Sequence, residues 1–85
     1  MTTDTDTTET LRRDRQAAIN AQAADRRTLE QRHGRVWDTH ELGRDFQILA
    51  YRAPYVVVRR RSDARLGSLE FQHRPRLYFN WEEDT

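Results

Sequence analysis

A chain of 85 residues, 35% hydrophobic and 34% charged, supports one small domain with a modest core and leaves no room for a large buried active site. Cysteine is absent, which excludes disulfides, thiolate metal sites and cysteine nucleophiles. The net charge of +1 hides an alternation, with residues 1–10 carrying −3, 11–35 +4, 36–50 −2, 51–76 +5 and 77–85 −3; acidic stretches of this kind suit the basic blocks of the same chain or of a second copy.

Residues 1–6 are expected to form a disordered acidic tail, because a Thr/Asp run buries too little apolar surface to offset its ordering entropy. This start lacks the charged and apolar regions of a signal peptide. No apolar stretch approaches the ~20 residues that span a bilayer. The expectation is a soluble, cytoplasmic protein with no membrane partner.

Residues 7–34 read as a polar, Arg/Ala-rich helical arm. Asp6 and Glu9 have capping-box spacing, the following stretch contains no Gly or Pro, and Gly34 supplies the stop. The apolar stripe is thin: Leu11, Ala18 and Leu29 align, Ile19 lies to one side, and Gln22 and Asp25 interrupt. Such a helix is expected to be an exposed arm that firms up against a partner or a second copy. A coiled coil is poorly supported, since Arg15, Gln22 and Asp25 would fall at its seam.

Residues 35–82 read as a small α+β domain, followed by an acidic tail at 83–85. Asp38 and Glu41 again have capping-box spacing, with Val36 or Trp37 placed to meet Leu42 as a staple, so a second helix of about two turns should lay Trp37, Leu42 and Phe46 over a sheet. Period-two alternation then gives a four-stranded antiparallel β-meander with one buried face. Phe46, Ile48 and Ala50 share a side of the first strand. Val56 and Val58 oppose Tyr55, Val57, Arg59 and Arg61 in the second, and Leu69 and Phe71 oppose Ser68, Glu70 and Gln72 in the third. In the fourth, Leu77, Phe79 and Trp81 are set inward, opposite Arg76, Tyr78 and Asn80. Loop lengths place Glu70 between Arg59 and Asn80, and Gln72 between Val57 and Tyr78. The fold class is therefore α+β: a long N-terminal helix, a short second helix and the meander.

The outward face carries Tyr51, Tyr55, Arg59, Arg61, Gln72, Arg76 and Tyr78. Single-stranded nucleic acid is commonly held by rings that stack bases while arginines track phosphates. The alternative is structural: Arg59 with Glu70 makes an ordinary cross-strand ion pair, and tyrosine is a favoured strand residue. Arg65 and Arg74 join Arg59, Arg61 and Arg76 near the hairpin ends, where guanidinium forks suit phosphates or carboxylates. The candidate nucleic-acid or anion-binding set is Tyr55, Arg59, Arg61, Arg65, Arg74, Arg76 and Tyr78.

Chemistry beyond binding has little footing here. His33, His40 and His73 lie in different elements without metal-ligand spacing, and no nucleophile elbow or phosphate-binding glycine loop occurs. No metal, cofactor or catalytic residue is expected. The reading is a small non-enzymatic binding module, with single-stranded nucleic acid as leading ligand. The alternative is a protein–protein adaptor or assembly subunit that binds an acidic protein, or self-associates as a homo-oligomer through the N-terminal helix or a sheet edge.

Overall fold

Alternation along the C-terminal half produces an antiparallel sheet with one strand more than the periodicity indicates. The computed structural model describes residues 4–84, with side chains from residue 9 onward. In chain order the elements are α1 (Asp4–Ala21), α2 (Arg26–His33), β1 (Val36–Trp37), α3 (Thr39–Asp45), β2 (Phe46–Arg52), β3 (Tyr55–Arg60), β4 (Leu66–His73) and β5 (Arg76–Glu83). The strands form one five-stranded sheet in the order β1-β5-β4-β3-β2. The added strand, β1, is two residues long and pairs Val36 with Phe79 and Trp37 with Tyr78. Two residues are too short to register as a period.

The N-terminal arm is two helices, not one. Asp25 caps α2 by accepting from Thr28 N–H at 2.9 Å, and the link between the helices is held by Gln72. That side chain is fully buried. Its Oε1 accepts from Ala24 N–H at 3.1 Å, while its Nε2 donates to Ala24 O at 2.7 Å and Pro75 O at 2.8 Å. Ten residues separate Ile19 from Leu29, about 15 Å along an unbroken helix, yet both pack into one cluster with Val36, Leu77 and Phe79. The break makes that convergence possible. Gly34 ends α2 with its N–H on Glu30 O, at a φ of 83°. α1 already includes Asp6, so the helix does not start at the Asp6 cap expected from the sequence; the tail expected at 1–6 is helical from Asp4, and residues 1–3 lie outside the described part.

α3 starts as its sequence dictates. Asp38 accepts from Glu41 N–H at 2.7 Å and Glu41 accepts from Asp38 N–H at 3.0 Å. Arg26 reaches the same carboxylate at 2.6 Å. The Arg26 bond first and the Asp38 N–H second hold the Glu41 carboxyl down at about 2.

Both faces of the sheet carry apolar side chains, which changes the sidedness expected of β5. Val56, Val58, Leu69 and Phe71 point to one face as the alternation requires, but the residue of Leu77–Phe79 that joins them there is Tyr78. Leu77 and Phe79 point to the other face, beneath α1 and α2. Glu70 lies opposite Phe79 and Gln72 opposite Leu77, a slip of one residue from the expected pairing. On the other side of β4, Glu70 pairs with Tyr55 and Arg59 with Leu66, so no Arg59–Glu70 cross-strand pair forms. A one-residue slip exchanges faces, and two irregularities add to it. β2 bulges between Ile48 and Ala50, bringing Tyr51 rather than Ala50 opposite Val56. β5 departs from register around Asn80, whose φ is 58°, and beyond it Trp81 returns to the Val56 face against Phe46.

The sheet rolls until its two edges meet through side chains. Trp37 of β1 packs edge-on against Phe46 of β2 with ring centroids 5.4 Å apart, and α3 spans the same end, burying Leu42. At the opposite end the Arg76 guanidinium lies over Phe71 at 4.8 Å, Tyr51 at 5.4 Å and Tyr78 at 5.9 Å. It also donates to the Tyr78 hydroxyl at 3.0 Å. Burial first, and the hydrogen bond with Tyr78 second, push the Tyr51 phenol above its usual value.

Candidate anion-binding cleft

The residues singled out from the sequence do not form one surface. Tyr78 is completely buried inside the roll, with Arg76 lying over it as a lid. Tyr55 is half-buried and Arg59 exposed on the opposite face, where α1 docks over β4. Arg74 sits exposed in the β4–β5 turn. Arg65 bonds to Asp63 at 3.3 Å and Glu83 at 3.1 Å. Arg61 lines a cleft at the α3 end of the roll. The Tyr51–Tyr55–Tyr78 stacking platform is therefore replaced by a rolled interior, because Tyr78 follows Phe71 to the inner face.

Arg61 leads to the arrangement that the sequence did not show. A cleft of about 710 Å³ is lined by His33, Arg35, Trp37, Arg44, Asp45, Phe46, Arg60, Arg61, Ser62, Asn80 and Trp81. These come from the end of α2, the approach to β1, the end of α3, the β3–β4 turn and β5. α3 is what gathers them: its capping box fixes the start, and its last residues Arg44 and Asp45 hang over the mouth. The main chain closes the corner, with Arg61 N–H donating to Asp45 O at 3.0 Å.

The lining holds four guanidinium groups and one carboxylate. Asp45 is shared among three donors: Arg35 at 2.9 Å, Trp37 Nε1 at 3.1 Å and Arg44 at 3.3 Å. The indole bond first, then Arg44 and Arg35, hold its carboxyl below the usual value. Arg61 donates from Nε to Gly43 O at 3.2 Å and has no carboxylate partner among the described residues. Arg60 is the neutralised member: it forks onto Asp63 at 2.6 and 3.1 Å and holds that carboxyl at about 2. One carboxylate thus faces Arg35, Arg44 and Arg61.

Flat groups line the same space. Arg35 lies 4.8 Å over the Trp37 ring and Arg60 5.1 Å over Trp81, so guanidinium planes cover the indoles at the cleft wall. His33 is stacked on Phe79 at 4.5 Å with an interplanar angle of 11°, and it lines the cleft as well. Guanidinium planes and imidazole rings both stack nucleobases.

Among the described residues no group of three or more His, Asp or Glu gathers as a metal site, and no helix is long and apolar enough to cross a membrane. Trp37, Trp81, His33, Arg35 and Arg44 were missed as site residues because nothing in their spacing connects them. The available hint was the concentration of Arg60, Arg61 and two tryptophans around elements that must meet. The chain matches no family model, and neither the curated proteins nor the solved structures include one significantly similar to it.

Proposed function

We propose that this chain is a non-enzymatic binding module that takes a single-stranded nucleic acid segment in the Arg/Trp cleft, with phosphates on Arg35, Arg44 and Arg61 and a base against the His33 or guanidinium planes. The observation that carries the reading is the charge imbalance of the cleft lining: Arg35 and Arg44 share the single carboxylate of Asp45, and Arg61 lines the same space with no carboxylate partner among the described residues. Guanidinium in excess of carboxylate favours an external anion, and forked donors match phosphate oxygens. Arg35 and Arg44 side chains are 68% and 60% exposed, so they can turn to a ligand without opening the core. This reading replaces the tyrosine face with a different surface and keeps the ligand class.

Fluorescence anisotropy of a labelled single-stranded oligonucleotide at low salt is the direct test. Binding should weaken as salt rises, with a logarithmic slope of about −0.7 for each phosphate engaged. Arg44→Ala with Arg61→Ala should weaken it about 10-fold or more, at roughly 1.4 kcal/mol per tenfold, and flatten the salt slope while leaving the circular dichroism spectrum intact. No binding at low salt, or full binding by the double variant, rules the cleft out. If an acidic peptide binds with the higher affinity, the ligand is a protein carboxylate instead.

A further inference from the structure

Three polar side chains that α1 presents to β4 are each answered there: Arg15 by Glu70 at 2.7 Å, Gln16 by the His73 ring at 3.1 Å, and Asn20 by the His73 N–H at 3.1 Å. Arg12 is not. It lies one turn before Gln16, is half-buried, and has no ion pair or side-chain hydrogen bond among the described residues. It opens on a groove of about 370 Å³ between α1 and the end of β2, which Glu9, Arg13, Gln16, Tyr51 and Arg52 also line. Arg52 is exposed and has no ion pair among the described residues either, while Arg13 reaches Glu9 at 3.9 Å. Three guanidinium groups from two elements thus share one carboxylate, an excess that an external anion relieves. The groove also holds a flat ring. Tyr51 is 48% exposed, and its ring is kept in place by Phe71 at 5.8 Å and by Arg76 at 5.4 Å, so a stacking surface is already ordered.

We propose that this groove is a second nucleotide-binding site for single-stranded nucleic acid, with a phosphate held between Arg12 and Arg52 and a base against Tyr51. Guanidinium forks for the phosphate and an open ring for the base are the two parts such a site needs. The cleft cannot supply them here. β2 starts at Phe46 in the cleft and ends at Arg52 in the groove, six residues or about 20 Å along an extended strand, which is about twice the screening length at 0.1 M salt. The inference takes its ligand class from the reading of the cleft and shares none of its residues, so either site can fail without the other.

Titration of the isotope-labelled full chain with a single-stranded oligothymidylate, followed by amide NMR at low salt, locates the contacts. Signals of Arg12, Arg13, Tyr51 and Arg52 should shift in the parent and also in the Arg44→Ala, Arg61→Ala variant, where the cleft is weakened. In that variant the residual affinity, read by anisotropy, should fall about 10-fold or more on adding Arg12→Ala with Arg52→Ala, and the salt slope should lose about 0.7 for the phosphate released. Tyr51→Leu should weaken it about fivefold or more. Arg27→Ala removes a charge from α2, lines neither space, and should leave it unchanged. Groove signals that stay still while the cleft signals move overturn the proposal and leave the cleft standing; the reverse pattern supports the groove and removes the cleft. Residual binding that survives the arginine pair or Tyr51→Leu, or that falls as far with Arg27→Ala, overturns it as well. Circular dichroism shows whether the paired variant remains folded; if it does not, Arg52→Ala alone decides.

Discussion

The two faces of the sheet are stabilised in different ways. The inner face is an apolar roll of Trp37, Leu42, Phe46, Val56, Val58, Leu69, Phe71 and Tyr78, closed by its own rings and one arginine. The outer face has a smaller cluster, Ile19, Leu29, Val36, Leu77 and Phe79, and leans on polar contacts: Gln72 on Ala24, Arg15 on Glu70, and Asn20 on the His73 N–H. The roll should therefore hold the global stability, while α1 should open separately at lower cost. The sharpest way to break this contrast is Phe71→Ala. Its ring touches Tyr51, His73 and Tyr78, and the cavity should cost about 3–5 kcal/mol, a large share of the stability of a small domain. Urea unfolding measures it, and a cost below about 1 kcal/mol would show that the roll is not the core.

Two smaller changes probe the join between the faces. Gly67 sits where an added Cβ would press on the Trp81 ring and on the Glu82 carbonyl. The backbone oxygen cannot swing away as a side chain can, so Gly67→Ala should cost about 1–3 kcal/mol by overpacking. A thermal melt as stable as the parent would show that β5 is free to shift there. Gln72→Ala acts on the other face. It strips the partners from peptide groups of the half-buried Ala24 and the exposed Pro75, at about 0.5–1.5 kcal/mol for each bond lost. Hydrogen exchange should show α1 and the 22–25 link losing protection before the strands. Uniform loss across all elements would mean that the helices and the roll open together.

What the sequence revealed follows the same division. Local signals held: the Asp38–Glu41 capping box, the Gly34 stop, and the inward alternation of Val56, Val58, Leu69 and Phe71 are each decided by neighbours in the chain. β5 failed because Leu77, Tyr78 and Phe79 are consecutive and all buried, so period two cannot say which of them faces the roll. The helix break was marked by Asp25, which looked like an interruption of an apolar stripe and is in fact a cap. The cleft left no periodic trace, since its arginines and tryptophans come from four separate stretches, 35–37, 44, 60–61 and 81, that only the rolled sheet brings together.

The mildest test of the contrast is electrostatic. Arg15 forks onto Glu70 at 2.7 and 2.9 Å, and Asn80 adds a third bond at 2.8 Å. Arg15 first, and then Asn80, hold the Glu70 carboxyl below its ordinary 4.5. A carboxyl depressed in the folded state contributes fully above its unfolded value and loses that contribution as pH falls through the folded one. The Arg15 share is small, at most about 1 kcal/mol, because the guanidinium is largely solvated. Arg15→Ala should therefore lower the protection of α1 most at neutral pH, and the gap to the parent should close in acid once Glu70 is protonated. If the gap stays constant into acid, Arg15 acts through the packing of its stem and not through Glu70, and α1 is held on the sheet by contact alone.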